Sequence, residues 1–317
     1  MSALHHALTE YLRTRRALGT KLGWPESSLR QFVDFIEAEG EGEDFVTIAS
    51  AMRWAIQPVG VQRATHARRL GIVRGFALWL QATDARTQVP PHGVLPARQR
   101  RPLPHIYSER EIADLIGAAG KLHSAVGLRR VTFQTLIGLL VSTGLRPGEA
   151  LSLDVADVNL VSGIMAVRES KFGKSRFVPL EHSARVALAA YAELRGATRH
   201  CYEARAFFVT EHGSRLCACT TRLTFAKLCQ TTGLRRKPIV GRCGSGPRLQ
   251  DFRHTFATRR LVEWYRAGLD VDRLIPRLAT YLGHVRVAET YWYIQAVPEL
   301  LRLATERMER VAQSGVQ

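Results

Sequence analysis

Apolar residues recur along the first 80 positions with the spacing of a helix. Leu29, Phe32, Val33 and Ile36 fall at i, i+3, i+4 and i+7, and Leu70, Val73, Ala77 and Leu80 form a second stripe. A period near 3.6 gathers each set on one face, so both segments are predicted to be amphipathic helices. The second also carries Arg63, Arg68, Arg69 and Arg74. Such a helix can bury its apolar side and lay the arginines on phosphates, or simply solvate them.

The pattern stops at Val89. From there to Tyr107 the chain holds five prolines and three arginines, Arg98, Arg100 and Arg101, with no helical period. Proline fixes φ and disfavours helix in the residue before it. Residues 91–107 are therefore expected to form an extended linker between a helical domain at 1–90 and a larger one at 108–317. The larger domain opens on Ser108-Glu-Arg-Glu111 ahead of an apolar run, a capping box in which Ser108 and Glu111 satisfy each other's backbone N–H groups. Val131 to Ser142 is strongly apolar and predicts a buried helix, with Gly144 suited to its C-terminal cap and Pro147 to the next first turn.

Over 155–180 the period changes. β-branched residues alternate with the turn signals Ser162-Gly163 and Phe172-Gly173, predicting two or three short antiparallel strands. Helical patterns return after residue 181 and run to the end. The expected fold is mainly α with a small antiparallel β-sheet.

The composition fits such a protein. Of 317 residues, 46% are hydrophobic and 23% charged, a globular balance that can bury a core without disulfide staples. It excludes a disordered tail, a collagen-like chain and a disulfide mini-scaffold. No run approaches the ~18–20 apolar residues needed to span a bilayer, and the first residues lack the apolar stretch of a secretory signal. The expected location is cytoplasmic. Five cysteines, Cys201, Cys217, Cys219, Cys229 and Cys243, form no even framework, which suits a reducing compartment. Only one short pair exists among them, whereas structural zinc wants paired knuckles, so free thiols and no metal are expected.

The charge is less ordinary. Forty-five lysines and arginines stand against 28 acids, for a net +17. The surplus is +2 over residues 1–90, +3 over 91–107 and +12 over 108–317. Such a surplus favours a polyanionic partner, whether DNA, RNA or an anionic membrane surface, met mostly by the linker and the larger domain.

Several side chains then acquire meaning from their neighbours. Arg146 lies in Ser-Thr-Gly-Leu-Arg-Pro-Gly-Glu-Ala, with Glu149 three residues on. Lys171 sits at the tip of the predicted hairpin, with Lys174 close by. Arg253 and His254 lie in Leu-Gln-Asp-Phe-Arg-His-Thr-Phe-Ala-Thr, His284 in Tyr-Leu-Gly-His, and Tyr293 follows His284 by nine residues. Singly, each reads as a cap, a solvated charge or a core residue.

Together and in this order they resemble the tyrosine site-specific recombinases, the phage integrase family. Its pattern is an arginine in T-G-[LM]-R-x-x-E, a lysine in a β-hairpin, H-x-x-R followed by His-Thr-Phe, L-G-H, and a tyrosine about nine residues later. Arg146, Lys171, Arg253, His284 and Tyr293 match five of six positions; Val-Pro-Leu at 178–180 also matches. The resemblance covers residues 108–300 well. Residues 1–90 look more loosely like the family's helical core-binding domain, which would place Arg63, Arg68, Arg69 and Arg74 among the DNA contacts, joined by Arg98, Arg100 and Arg101 of the linker and Lys174 of the hairpin. One position departs: Gln250 stands where the family has histidine. Glutamine can donate a hydrogen bond but cannot carry a proton near neutral pH. His254 could not simply replace it, since i and i+4 lie about 6 Å apart along a helix.

The resemblance implies DNA cleavage and rejoining through a 3′-phosphotyrosyl link, with no metal or nucleotide cofactor. Tyr293 would be the nucleophile, with Tyr291, two residues away and off the pattern, as the alternative. Arg146 and Arg253 would hold the phosphate, His284 and Gln250 would hydrogen-bond it, Lys171 would protonate the leaving oxygen, and Glu149 would orient Arg146 or His284. The partners implied are double-stranded DNA, further copies of the chain in a homotetramer on two DNA sites, and an accessory DNA-bending or directionality factor, in a phage, transposon or other mobile-element setting. No membrane partner is expected. Two other readings stay open: a DNA-binding accessory protein with weakened catalysis, because of Gln250, and a type IB topoisomerase. The tail after Tyr293, with Leu300, Leu301 and Leu303 on a predicted helix, could dock on a neighbouring copy or pack on its own domain.

Overall fold

The computed structural model describes residues 2–20, 22–39, 44–98, 103–168, 175–236, 246–295, 299–303 and 305–306. Two compact units divide between Pro102 and Leu103.

The first unit is a bundle of four helices: α1 (Ala3–Ala17), α2 (Gly23–Glu39), α3 (Ile48–Ile56) and α4 (Arg63–Leu80). Both apolar stripes are in its core, where Leu29, Phe32, Val33, Ile36, Leu70, Val73, Ala77 and Leu80 are all buried. Phe32 meets Trp54 edge-on, with centroids 5.3 Å apart. The α4 arginines do not form one open face. Arg63 and Arg68 are exposed, but Arg69 and Arg74 are half-buried. Arg69 lies over the Trp54 ring at 3.6 Å and donates to the Trp54 carbonyl at 2.8 Å. The helix periodicity places Arg69 on the flank of the apolar stripe, where an aromatic face offers a cation more than solvent does.

The second unit opens with the expected box: Ser108 Oγ accepts the Glu111 N–H, and a Glu111 carboxylate oxygen accepts the Ser108 N–H at 2.7 Å, starting α5 (Glu109–Ala119). The apolar run becomes α6 (Leu128–Thr143), most of it buried and ended by Gly144 in the left-handed region at φ 61°. A short α7 (Pro147–Ser152) follows, with proline in its first turn. Strands β1 (Val158–Asn159), β2 (Ile164–Val167) and β3 (Arg176–Pro179) form an antiparallel meander, with Met165 opposite Val178. Met165, Val167 and Val178 turn inward onto the core that α5 and α6 supply.

Beyond α8 (His182–Ala197) the helical expectation fails over residues 198–217, which form turns and isolated bridges before α9 (Ala218–Thr231). Gly213, at φ 77°, explains part of this, since a β-carbon there would meet the His200 carbonyl oxygen. The chain ends in α10 (Asp251–Arg266), α11 (Val271–Leu282) and α12 (Ala288–Gln295). These three share a second core with Leu300 of the tail. Among the described tail residues Leu300 joins this core and Leu303 is also buried, while Leu301 is exposed. Among the described residues no helix is long and apolar enough to cross a membrane.

Candidate active site

The site is built on the C-terminal end of α11. A helix leaves its last carbonyls without intrahelical partners, and cations are favoured at that end. Here three consecutive carbonyls each receive a different arginine. The Tyr281 carbonyl accepts from Arg176 Nε at 2.8 Å, the Leu282 carbonyl from Arg253 at 2.6 Å, and the Gly283 carbonyl from Arg146 at 3.4 Å. The three come from β3, α10 and the start of α7, so one helix end gathers three distant segments. Gly283 caps the helix at φ 69°, and a β-carbon there would lie 2.9 Å from the Arg176 guanidinium. Glycine therefore supplies both the turn and the space.

Glu149 ties two of these arginines together. Its carboxylate accepts the Arg146 side chain at 2.7 Å and the Arg146 backbone N–H at 3.1 Å, and takes both terminal nitrogens of Arg176. Burial alone would raise the Glu149 pKa, but the Arg176 and Arg146 charges outweigh it and hold the carboxyl below its ordinary range. Arg253 is only 1% exposed. It donates to the Gly144 carbonyl at 3.1 Å as well as to Leu282, so it also braces the turn after α6. Burial pulls its guanidinium below the usual arginine range, against the opposing pull of Tyr293 and Glu149.

Gly283 delivers His284 directly into this charged corner. Its Nδ1 lies 2.7 Å from Thr290 Oγ1, and its Nε2 lies 3.4 Å from the Tyr293 hydroxyl, with the two rings stacked at 5.8 Å. Burial, then the charges of Arg253, Arg146 and Arg176 and the nearby His254, lower its pKa to about 3, so the imidazole is neutral at pH 7. Tyr293 is 4% exposed, whereas Tyr291 on the same helix is 42% exposed and turned away. His254 sets its ring edge against both Trp292 and Tyr293, at 5.0 and 5.2 Å.

Arg146, Glu149, Arg253, His284 and Tyr293 thus converge on one corner. Of the two partners expected for Glu149, Arg146 is the one its carboxylate contacts, together with Arg176. Gln250 sits one turn upstream of Arg253, whose N–H donates to the Gln250 carbonyl at 3.2 Å, with its own side chain half-buried. Lys171, Lys174, Arg100 and Arg101 lie outside the described residues. Arg98 is exposed. The sequence reading missed Arg176, Thr290 and the contact of His254 with Tyr293. The Arg-x-Val-Pro run carried a weak signal for Arg176, and nothing local pointed to its carboxylate.

Among the described residues one cluster has donor atoms close enough to share a metal, His5 with Asp34 and Glu37 in the first unit. The two His5 ring nitrogens already meet separate carboxylates, Asp34 at 3.2 Å and Glu37 at 2.9 Å, which links α1 to α2. Cys201 and Cys229 are buried in the core, and burial pushes the Cys229 thiol up to about 12, away from the thiolate a metal would want. Cys217 and Cys219 stand exposed.

Comparison with known proteins agrees with this architecture. The phage integrase family matches residues 108–299. Protein y4rB of Sinorhizobium fredii is 42% identical over 317 residues, covering 98% of each chain. Tyrosine recombinase XerD of Caulobacter vibrioides is 31% identical over 250 residues, 76% of this chain and 74% of the relative. In fold, the chain is similar to the Tn1549 transposon integrase, solved in complex with transposon right end DNA, with a TM-score of 0.64 and 17% identity over 98% of this chain and 100% of that one. The chain belongs to the phage integrase family, the tyrosine recombinases, a class of enzymes that break and rejoin DNA strands.

Proposed function

We propose that this chain is a site-specific DNA recombinase that cuts and rejoins strands through a 3′-phosphotyrosyl intermediate. The observation that carries the reading is the convergence of Arg146, Arg253 and His284 beside the Tyr293 hydroxyl at the end of α11.

The Tyr293 oxygen attacks a backbone phosphorus, loses its proton to solvent water, and displaces the 5′-oxygen of the next deoxyribose. The 5′-oxygen takes a proton from Lys171, or from Lys174 beside it, and leaves as a hydroxyl. Another strand's 5′-hydroxyl reverses the step. One phosphodiester is exchanged for another, so the bond energy is conserved and neither a nucleotide nor a metal is required. Arg146 and Arg253 supply fixed forks for the nonbridging oxygens as their charge grows, and one such donor is worth about 3–4 kcal/mol of barrier. His284 and Gln250 add hydrogen bonds. Exchange between two duplexes cuts four strands, each by its own tyrosine, which supports a homotetramer on two sites. An accessory bending factor would fit the same scheme. Arg63, Arg68 and Arg98, exposed on the first unit, with Arg100 and Arg101 of the linker and Lys174, are the proposed backbone contacts; binding should weaken steeply with salt.

Gln250 favours one second reading, an accessory DNA-binding protein with slow or lost catalysis. A covalent-trapping assay separates the two. Nicked duplexes drawn from DNA flanking the gene are incubated with wild type, Tyr293→Phe and Tyr291→Phe, in chelator. A denaturant-resistant protein–DNA adduct in wild type and Tyr291→Phe, absent in Tyr293→Phe, supports the recombinase. Tight binding with no adduct supports the accessory protein.

A further inference from the structure

Tyr107 is the last residue before the Ser108 box and is only 1% exposed. Its contacts run along α10. The ring stacks on Phe252 with centroids 4.3 Å apart, the N–H donates to Thr255 Oγ1 at 3.0 Å, and the carbonyl accepts from Arg259 at 3.2 Å. These seat the chain on the helix. The hydroxyl has a different target, the Arg248 carbonyl, at 3.0 Å and 141 residues away. That carbonyl opens the turn from which α10 grows. The N–H groups of Asp251, Phe252 and Arg253 each donate three residues back, to Arg248, Leu249 and Gln250, at 2.9, 3.3 and 3.2 Å. The Asp251 carboxylate closes the turn by accepting the Arg248 N–H at 2.9 Å. Rungs of this i→i+3 kind have poorer geometry than an α-helical ladder, so an anchor from outside matters here. Phenylalanine would stack on Phe252 equally well, so packing alone does not call for the hydroxyl. A buried hydroxyl is costly unless bonded, and this one places its bond on the turn. Burial, with Cys229, Asp251 and Glu111 nearby, holds the phenol well above its ordinary range, so it stays a donor.

We infer that Tyr107 is a positioning residue for strand cleavage: through the Arg248 carbonyl, its hydroxyl holds the turn that carries Gln250 and leads into Arg253. Gln250 occupies the N-cap position of α10, and its side chain makes no capping bond to the helix. The direction of that side chain is therefore set by the backbone beneath it. Arg253 follows within the same turn, with its backbone N–H on the Gln250 carbonyl. A misplacement of about 1 Å can cost about 10²-fold in rate, so a loosened turn should be felt far more in cleavage than in DNA binding. The effect on cleavage rests on the recombinase reading; the hold on the turn does not.

The test removes the hydroxyl alone. Tyr107→Phe keeps the ring on Phe252. Its control is Tyr191→Phe, which takes a buried hydroxyl from the same core, one that accepts the Val209 N–H at 3.1 Å. In full chains, hydrogen exchange over residues 246–256, read by mass spectrometry, should quicken about tenfold in Tyr107→Phe and stay at the wild-type rate in Tyr191→Phe. Unchanged exchange in Tyr107→Phe, or equal quickening in both, overturns the hold on the turn. In the trapping assay at saturating nicked duplex, Tyr107→Phe should form adduct about tenfold more slowly, while its Kd for the duplex stays within about twofold. Tyr191→Phe should keep the wild-type rate. In a Gln250→Ala background, Tyr107→Phe should slow the adduct by less than about threefold, because the side chain that the turn aims is gone. A wild-type rate in Tyr107→Phe, or the full tenfold loss in both backgrounds, overturns the positioning role. A wild type that binds the duplex but forms no adduct, with exchange quickened as expected in Tyr107→Phe, counts against the recombinase reading and not against the hold on the turn.

Discussion

Glu149 receives both terminal nitrogens of Arg176, one on each carboxylate oxygen, at 3.2 and 2.8 Å. Arg176 lies 27 residues further along, on β3, and its Nε reaches the Tyr281 carbonyl. One side chain thus fastens the sheet to both the Arg146 turn and the α11 end. Arg176→Met should leave Glu149 with half its countercharge in a buried place and cost about 3 kcal/mol, read by urea unfolding. Arg176→Lys keeps the charge but not the fork, so it should recover part of the stability and little of the adduct yield.

Acid should unfold the second unit in two stages. His284 titrates near 6.5 when unfolded but only near 3 when folded, so below pH 6.5 the unfolded chain binds a proton that the folded one refuses, and stability falls as pH drops toward 3. Glu149 is depressed too. Its contribution is complete above the ordinary glutamate pKa, about 4.3, and is lost as pH falls through the lower folded value. Tm measured from pH 8 to pH 3 should therefore decline from about pH 6.5 and more steeply below about 4.5. His284→Asn should flatten the first stage and Glu149→Gln the second.

Gln250→His should quicken adduct formation on a nicked substrate by tenfold or more, since a placed general base contributes about 10²–10⁴ in rate. The gain should appear only above the new histidine's pKa. A rate unchanged at every pH would show that position 250 supplies hydrogen bonding alone.

Gly144→Ala combines two penalties. The residue sits at φ 61°, and its new methyl would lie 2.6 Å from Phe256 Cδ1. Overpacking of this kind costs about 1–3 kcal/mol, with backbone strain of about 1 kcal/mol in addition. Because the Gly144 carbonyl holds Arg253, the substitution should lower adduct yield at temperatures where the protein remains folded.

What the sequence disclosed and what it concealed divide along one physical line. The stripes of α2 and α4, the Ser108 box, the Gly144 cap and Pro147 at the start of α7 were legible because each depends on neighbours within a few positions. Arg146, Arg253, His284 and Tyr293 were legible from fixed local contexts. Arg176 and Thr290 were not. Arg176 gains its meaning from a carboxylate on another element, and Thr290 reads as any threonine until its hydroxyl is seen to face an imidazole. Arg69 is a related case: the sequence offers it as a phosphate contact or a solvated charge, and its place over the Trp54 ring depends on a residue across the bundle.

Arg253 carries a consequence for how this protein can change over time. A guanidinium 1% exposed, with one N–H of each terminal nitrogen already on the Gly144 and Leu282 carbonyls and further donors left over, is part of the scaffold before any phosphate arrives. In the proposed mechanism Tyr293 offers its hydroxyl to chemistry, and its ring could be kept as phenylalanine at little cost to packing. A lineage that lost strand cleavage while still needing to fold would shed the tyrosine oxygen early and keep the arginine. A descendant with Arg253 but no Tyr293 would thus be a retired enzyme, and the arginine by itself would be no certificate of activity.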